Sequence, residues 1–424
     1  MNPFLLTRRN VLSNIATLFS GSALANGLTI ITLLLIARHF GADEYGRYAA
    51  SLALVSLSSI IFNLGLDIWL LREGGRLPDQ LSISMGSVLA IKVVGGAAWF
   101  LVIAGLAPLV NQATFPADLM RLLAITVWLD SLFTTALTAF KASLRNRFTS
   151  VLESGSDAAW LAITLVLISF GNQQINTFVY ARGFVLLASV ILAFAILFKL
   201  VGIRANQAVA RKALKEAFPY ATSEFLAWAS MRVDVIIVGF ILGEYAAGIY
   251  SPAVGVVNGL FLVPAAVYMV MVPVLSNLYT RHPMQARSSS RRTIQLLFVI
   301  GAGLSVAFYL GAPVLVSFLS ESFQESLGIM RILSGILLLK SGSYAMAAIL
   351  VSKGQQGPRT AVQAIAVSLN VLLNLIFISR FGIAGVAVVY VITELILLAG
   401  YSYLVYRKRE DTQEKSALLN VSRK

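Results

Sequence analysis

The sequence predicts an all-α polytopic membrane protein: twelve transmembrane helices in two six-helix bundles, with the N- and C-termini cytoplasmic. Three observations predict it. About 20 apolar residues cross a hydrocarbon layer of about 30 Å as a helix, and a chain of 424 residues that is 58% hydrophobic and 12% charged holds a dozen such runs. Of its 33 lysines and arginines, 24 lie in the two tails and the even-numbered links and five in or beside the odd-numbered links. That asymmetry puts both ends in the cytoplasm. Finally, a glycine motif recurs at a fixed offset in the two halves.

The runs are residues 13–37, 47–71, 83–109, 119–140, 150–170, 176–199, 217–242, 248–278, 293–318, 326–350, 360–379 and 383–406. The first is preceded by Thr7-Arg8-Arg9 and contains Ala23-Leu24-Ala25, which imitates a twin-arginine signal peptide with its cleavage site. It continues apolar to Ile36, beyond the length of a signal h-region, so it is read as a retained span. The links are all shorter than twenty residues and leave no room for a soluble domain. The eighth run contains Pro252, Pro264 and Pro273, each of which removes a backbone hydrogen bond and predicts a bend. Gly95-Gly96-Ala97-Ala98, Gly301-Ala302-Gly303 and Ser341-Gly342-Ser343 predict close helix approach.

Gly41-Ala42-Asp43-Glu44-Tyr45-Gly46-Arg47-Tyr48, after the first run, matches Gly243-Glu244-Tyr245-Ala246-Ala247-Gly248-Ile249-Tyr250 after the seventh, both reading G-x4-G-x-Y at an offset of 202. Phe170-Gly171 recurs as Phe381-Gly382, offset 211. Two matches after equivalent runs predict a duplication of six helices, residues 1–205 and 206–424, with a basic cytoplasmic tail on the second. Six is even, so the repeats are parallel.

The absence of cysteine excludes disulfides and thiolate chemistry, and His39 and His282, the only histidines, stand too far apart in sequence to predict a metal site. The net charge of +14 is explained by the cytoplasmic links, which attract anionic lipid, and predicts no nucleic-acid partner. No Walker loop is present, so nucleotide hydrolysis is not expected.

Leu34-Leu35-Ile36-Ala37-Arg38-His39-Phe40 runs into the first glycine corner, and Asn63-Leu64-Gly65-Leu66-Asp67 and Leu70-Leu71-Arg72-Glu73 follow it. With Arg232-Val233-Asp234 and Phe381-Gly382-Ile383-Ala384-Gly385, the chain resembles the polysaccharide-type flippases of lipid-linked oligosaccharides, O-antigen among them. These belong to the multidrug/oligosaccharidyl-lipid/polysaccharide (MOP) exporter superfamily. The resemblance implies a MATE-like fold around a cavity lined by helices one, two, seven and eight. It also implies alternating access, no enzymatic activity, no cofactor, and coupling to protons, sodium or the membrane potential. A polyprenyl-pyrophosphate-linked oligosaccharide would cross from the cytoplasmic to the outer leaflet of the inner (plasma) membrane. A polysaccharide polymerase and glycosyltransferases of the same pathway would be its partners.

Ionisable groups within a span cost about 2.5–3.5 kcal/mol each and so mark function. They are Asp67, Lys92, Asp130, Asp157, Arg182, Glu224, Arg232, Asp234, Lys340 and Glu394. Glu224, Trp228 and Arg232 fall on one stripe at i, i+4, i+8, whereas Asp234 points away from Arg232. Under the resemblance Arg232 takes a phosphate, because a planar guanidinium offers paired donors, unless neighbouring acids neutralise it. Lys340, Arg182, Lys92 and Asp67 are the further substrate-binding candidates, with Glu224, Asp234 and Asp157 for coupling or gating. Lys92 is near enough to a span end to snorkel, Lys340 is not, and Asp67 is read either as a sugar contact or as a partner of Arg72. Glu153 and Asp157 share a face, so one of them would hold a proton. Six acids against four bases do not make a plainly cationic lumen. A multidrug exporter of the same superfamily is therefore the main rival; a membrane polymerase or ligase, which needs a long loop for its catalytic groups, is the lesser one.

Overall fold

A computed structural model describes residues 8–421, with side chains at 17, 20–222 and 224–407. The side chains of Arg8, Arg9, Lys408, Arg409 and Lys415, and all of Arg423 and Lys424, lie outside the described residues. Among the described residues there is no strand. Twelve α-helices follow one another: α1 (Arg8–Ser58), α2 (Ile60–Asn63), α3 (Leu66–Arg76), α4 (Leu81–Leu106), α5 (Ala117–Ala142), α6 (Asn146–Ser169), α7 (Ile175–Leu200), α8 (Gln207–Leu260), α9 (Leu262–Arg281), α10 (Pro283–Phe318), α11 (Ser326–Ser352) and α12 (Gln356–Val421). Nine helical stretches among the described residues are long and apolar enough to cross a membrane. The chain is a multi-pass membrane protein.

These helices are not the twelve predicted runs one for one. α1, α8 and α12 each pass through a single non-helical residue, at Gly41 (φ 77°, ψ −179°), Gly243 (φ 86°, ψ −172°) and Gly382 (φ 55°, ψ −147°). That combination is open essentially to glycine alone. The glycine corners expected from the repeat are therefore real backbone devices. The second run, expected to be continuous over 47–71, is instead interrupted: Leu64 (φ 47°) and Gly65 (φ 69°) are both left-handed and divide α2 from α3. Asn63 contributes by turning its amide back to the Ser59 carbonyl at 3.1 Å.

α8 begins ten residues before the predicted start of the seventh run. Its N-cap is Asn206, whose Oδ1 accepts from the backbone N–H of Ala208 (2.8 Å) and Val209 (3.3 Å). The α8/α9 break at Phe261 follows from Pro264, which cannot donate to the carbonyl of Leu260 four residues back.

The chain divides into two compact units, Met1–Pro252 and Ala253–Lys424, so the division falls inside α8. The first unit has a core of Leu66, Trp69, Met85, Phe140 and Leu197, from α3, α4, α5 and α7, closed by Ala213 and Ala217 of α8. Gly96 is needed there because the Trp128 indole occupies the space of a Cβ. The second unit packs Leu275, Ile349, Leu350 and Tyr401 from α9, α11 and α12. Gly301 of α10 lies against Ser341 of α11, the close approach that its small residues predict.

Candidate binding cavity

The first unit contains a partly open cavity of about 330 Å³ whose lining runs from Thr29 to Arg232. It is walled by α1, the broken α2/α3 stretch, α5, α6, α7 and α8. The break at Leu64-Gly65 matters here, because it lets Asn63 and Asp67 reach the same space from separate short helices. Asp67, Asp130, Arg182, Glu224 and Arg232 are the charged residues of the lining, with Trp160, Trp228 and Tyr48 among its aromatics.

Most of these charges are committed to partners. Asp67 holds the Lys92 ammonium on Oδ2 and accepts from Thr135 Oγ1 on Oδ1 at 2.8 Å. Lys92 is 0% exposed and also reaches the Ser131 carbonyl at 3.4 Å. Of the two readings of Lys92, snorkelling is the one the structure does not bear out: α4 turns it into the bundle, where a carboxylate compensates its desolvation. Asp67 likewise does not partner Arg72, which donates instead to Tyr220 Oη at 2.7 Å. Arg182 donates to Asp157 at 2.8 Å, lies 3.9 Å from Asp130, and covers the Trp160 ring at 4.7 Å.

Arg232 differs. Among the described residues it makes no ion pair, and its guanidinium sits over the Trp228 ring at 5.4 Å. Glu224, one turn before Trp228, shares the lining with it, as the i, i+4, i+8 stripe predicts. Asp234 is outside this lining, buried at 3% exposure and accepting from Tyr250 Oη at 3.3 Å. Lys340 lies in the second unit, bonded to Glu394 Oε2 at 2.9 Å with Ser343 donating to the other oxygen at 2.7 Å. The structure therefore brings Asp67, Lys92, Asp157, Arg182, Glu224 and Arg232 together, leaves Asp234 outside their cavity and puts Lys340 in the other unit. Lys340 and Lys92 are both bound in buried pairs.

Asp130 emerges as more prominent than its sequence suggests. Its side chain is 55% exposed although it lines the cavity, so its carboxylate borders open space rather than packed side chains. Trp160, Tyr48 and Asn63 are further lining residues that sequence reasoning did not assign to the cavity. Only the ionisable character of Asp130 gave a signal.

Toward the α3 end a polar clasp joins α3 to the start of α8. Lys212 donates to Glu73 at 2.7 Å, and the Trp69 indole donates to Glu216 at 2.9 Å. The hydrogen bond from Lys212, reinforced by the charges of Arg76 and Arg72, holds the Glu73 carboxyl below its ordinary range.

The chain is 24% identical over 385 residues, 88% of its own length and 78% of the relative's, to the probable low-salt glycan biosynthesis flippase Agl15 of Haloferax volcanii. The fold is that of the lipid II flippase MurJ in its inward closed conformation (TM-score 0.70, 16% identity, 92% of this chain and 87% of the other). It is equally that of the eukaryotic MATE transporter AtDTX14 (TM-score 0.70, 13% identity, 94% and 95%). These relatives are transporters and flippases, not enzymes. Residues 35–328 match the family model described as polysaccharide biosynthesis protein, and the chain belongs to that family.

Proposed function

We propose that the protein is a flippase that carries a polyprenyl-pyrophosphate-linked oligosaccharide from the cytoplasmic to the outer leaflet of the inner membrane, for cell-surface polysaccharide assembly. The observation that carries this reading is Arg232: a guanidinium in a membrane-embedded cavity, without a carboxylate partner among the described residues, offers its donors to a phosphate. Family membership and the relationship to a probable glycan flippase support it. Counting a pass on either side of Gly41, Gly243 and Gly382 turns nine candidate stretches into twelve, with both termini cytoplasmic by the lysine and arginine asymmetry. The two halves, 1–205 and 206–424, would alternate access while the polyprenyl tail stays in lipid. No cofactor is needed; a proton or sodium gradient or the membrane potential drives the step, a charge moved across 100 mV being worth about 2.3 kcal/mol. Lys92, Asp67, Arg182 and Asp157 shape the cavity as pairs, Glu224 and Asp234 are the coupling carboxylates, and Lys340 stabilises the second unit. Glycosyltransferases and a polymerase would supply and consume the cargo.

The test is reconstitution in liposomes with a fluorescent polyprenyl-diphosphate-linked sugar. Transfer is scored by loss of accessibility to an impermeant quencher, with Arg232→Ala beside the wild type. Wild-type transfer no faster than in empty liposomes overturns the reading. The three carboxylates of the lining favour one second reading, export of amphipathic cations. Drug resistance conferred on cells whose glycans are unchanged would decide for it.

A further inference from the structure

The ion pairs leave the cavity with an uneven balance. Lys92 is consumed by Asp67, and the single positive charge of Arg182 is shared between Asp157 and Asp130. Glu224 and Arg232, opposite in sign, make no ion pair among the described residues. With its immediate partners the site therefore holds four carboxylates against three cations, and its most exposed charged group for which side-chain exposure is resolved is the carboxylate of Asp130. The rest of the polar lining consists of hydroxyls and an amide, Ser56, Ser59, Thr126, Thr134 and Asn63 among them, beside the indoles of Trp160 and Trp228. Carboxylates, hydroxyls and indole faces bind sugar hydroxyls and pyranose faces. A surplus of carboxylates repels further anions, and in a site of low dielectric that repulsion is poorly screened.

We infer that the cavity selects by charge: it takes glycan head groups that are neutral or carry a free amine and rejects those with uronic or other acidic sugars. This rests on the flippase reading and narrows its substrate class. Arg232 meets the one anionic feature common to all such cargo, the phosphate. Asp130 faces the variable sugars, accepts their hydroxyl or ammonium hydrogens, and excludes a sugar carboxylate, which would find no cation left to receive it.

The experiment uses the full chain in liposomes and three polyprenyl-diphosphate-linked fluorescent disaccharides of equal size: one neutral, one with a free amino sugar, one with a hexuronic acid. The neutral and amine-bearing compounds should transfer at comparable rates and the uronic acid compound about tenfold more slowly or worse, the effect expected of an uncompensated like charge. Replacing the exposed acid alone, Asp130→Asn, should narrow that gap. The comparison within the wild type stands even if that variant fails to fold. Transfer of the acidic compound within about twofold of the neutral one overturns the charge selection and leaves the flippase reading intact. Failure of all three to move overturns both.

Discussion

Gly46 and Gly248 stand in reciprocal contact. A Cβ on Gly46 would collide with the carbonyl oxygen of Glu244, and a Cβ on Gly248 with the carbonyl oxygen of Ala42. Ala42 and Glu244 are each the residue after the corner glycine, Gly41 or Gly243, so the two copies of G-x4-G-x-Y dock on each other with the same atoms. Within each copy the first glycine makes the turn and the second makes the contact. Thr114 Oγ1 donating to Glu244 at 2.9 Å and Arg47 bound to Glu44 at 2.6 Å surround the junction.

Gly46→Ala and Gly248→Ala should each destabilise the protein by about 1–3 kcal/mol or more, because backbone cannot yield as a side chain does. Thermal unfolding in detergent checks this. Gly303→Ala, which meets open space in a helix interior, is the control and should hold or raise the midpoint. Gly243→Ala also meets open space, yet should cost about 1–3 kcal/mol from backbone strain alone.

Lys92→Met leaves the Asp67 carboxylate facing Thr135 without its cation and should cost about 3–5 kcal/mol. Lys92→Met with Asp67→Asn should recover a large part of that loss. Unfolding midpoints of the two singles and the double give the coupling. Additive losses would show that the pair is not a unit.

Arg232→Ala should abolish or strongly reduce leaflet transfer while moving stability by less than about 1 kcal/mol, since only the stacking on Trp228 is lost. Arg232→Lys should restore part of the transfer, keeping charge but losing the planar fork. A large fall in the unfolding midpoint of Arg232→Ala would instead mark the residue as structural.

Glu73 gives a pH signature. Its folded-state carboxyl titrates below its ordinary value because Lys212 bonds it, so the stabilisation is present above the unfolded value and is lost as pH falls through the lowered folded one. Wild type should therefore lose more stability than Glu73→Gln between neutral pH and the region below about 4.5. Parallel acid dependence in melting experiments would remove Glu73 from the account.

Much of this was written locally and could be read locally. Apolar run length gave the membrane-spanning helices, and glycine at the G-x4-G-x-Y corners gave the positive-φ turns, because both depend on a residue and its immediate neighbours. The stripe of Glu224, Trp228 and Arg232 was equally visible, since helical periodicity alone places three residues on one face. Chain-local reasoning failed where partners come from distant sequence. Lys92 and Asp67 are 25 residues apart and Lys340 and Glu394 are 54 apart, and nothing in either segment announces the other.

The sequence by itself determined an all-helical membrane chain, its charge asymmetry and its two matching corners, for these follow from hydrophobic transfer and backbone sterics. Only the tertiary structure decided which buried charges cancel, that the second run breaks at Leu64-Gly65, and that Arg232 and Asp130 face a common cavity. A charge in a span is costly wherever it stands, but whether it is paired or available depends on which side chains the folded helices bring within a few ångströms.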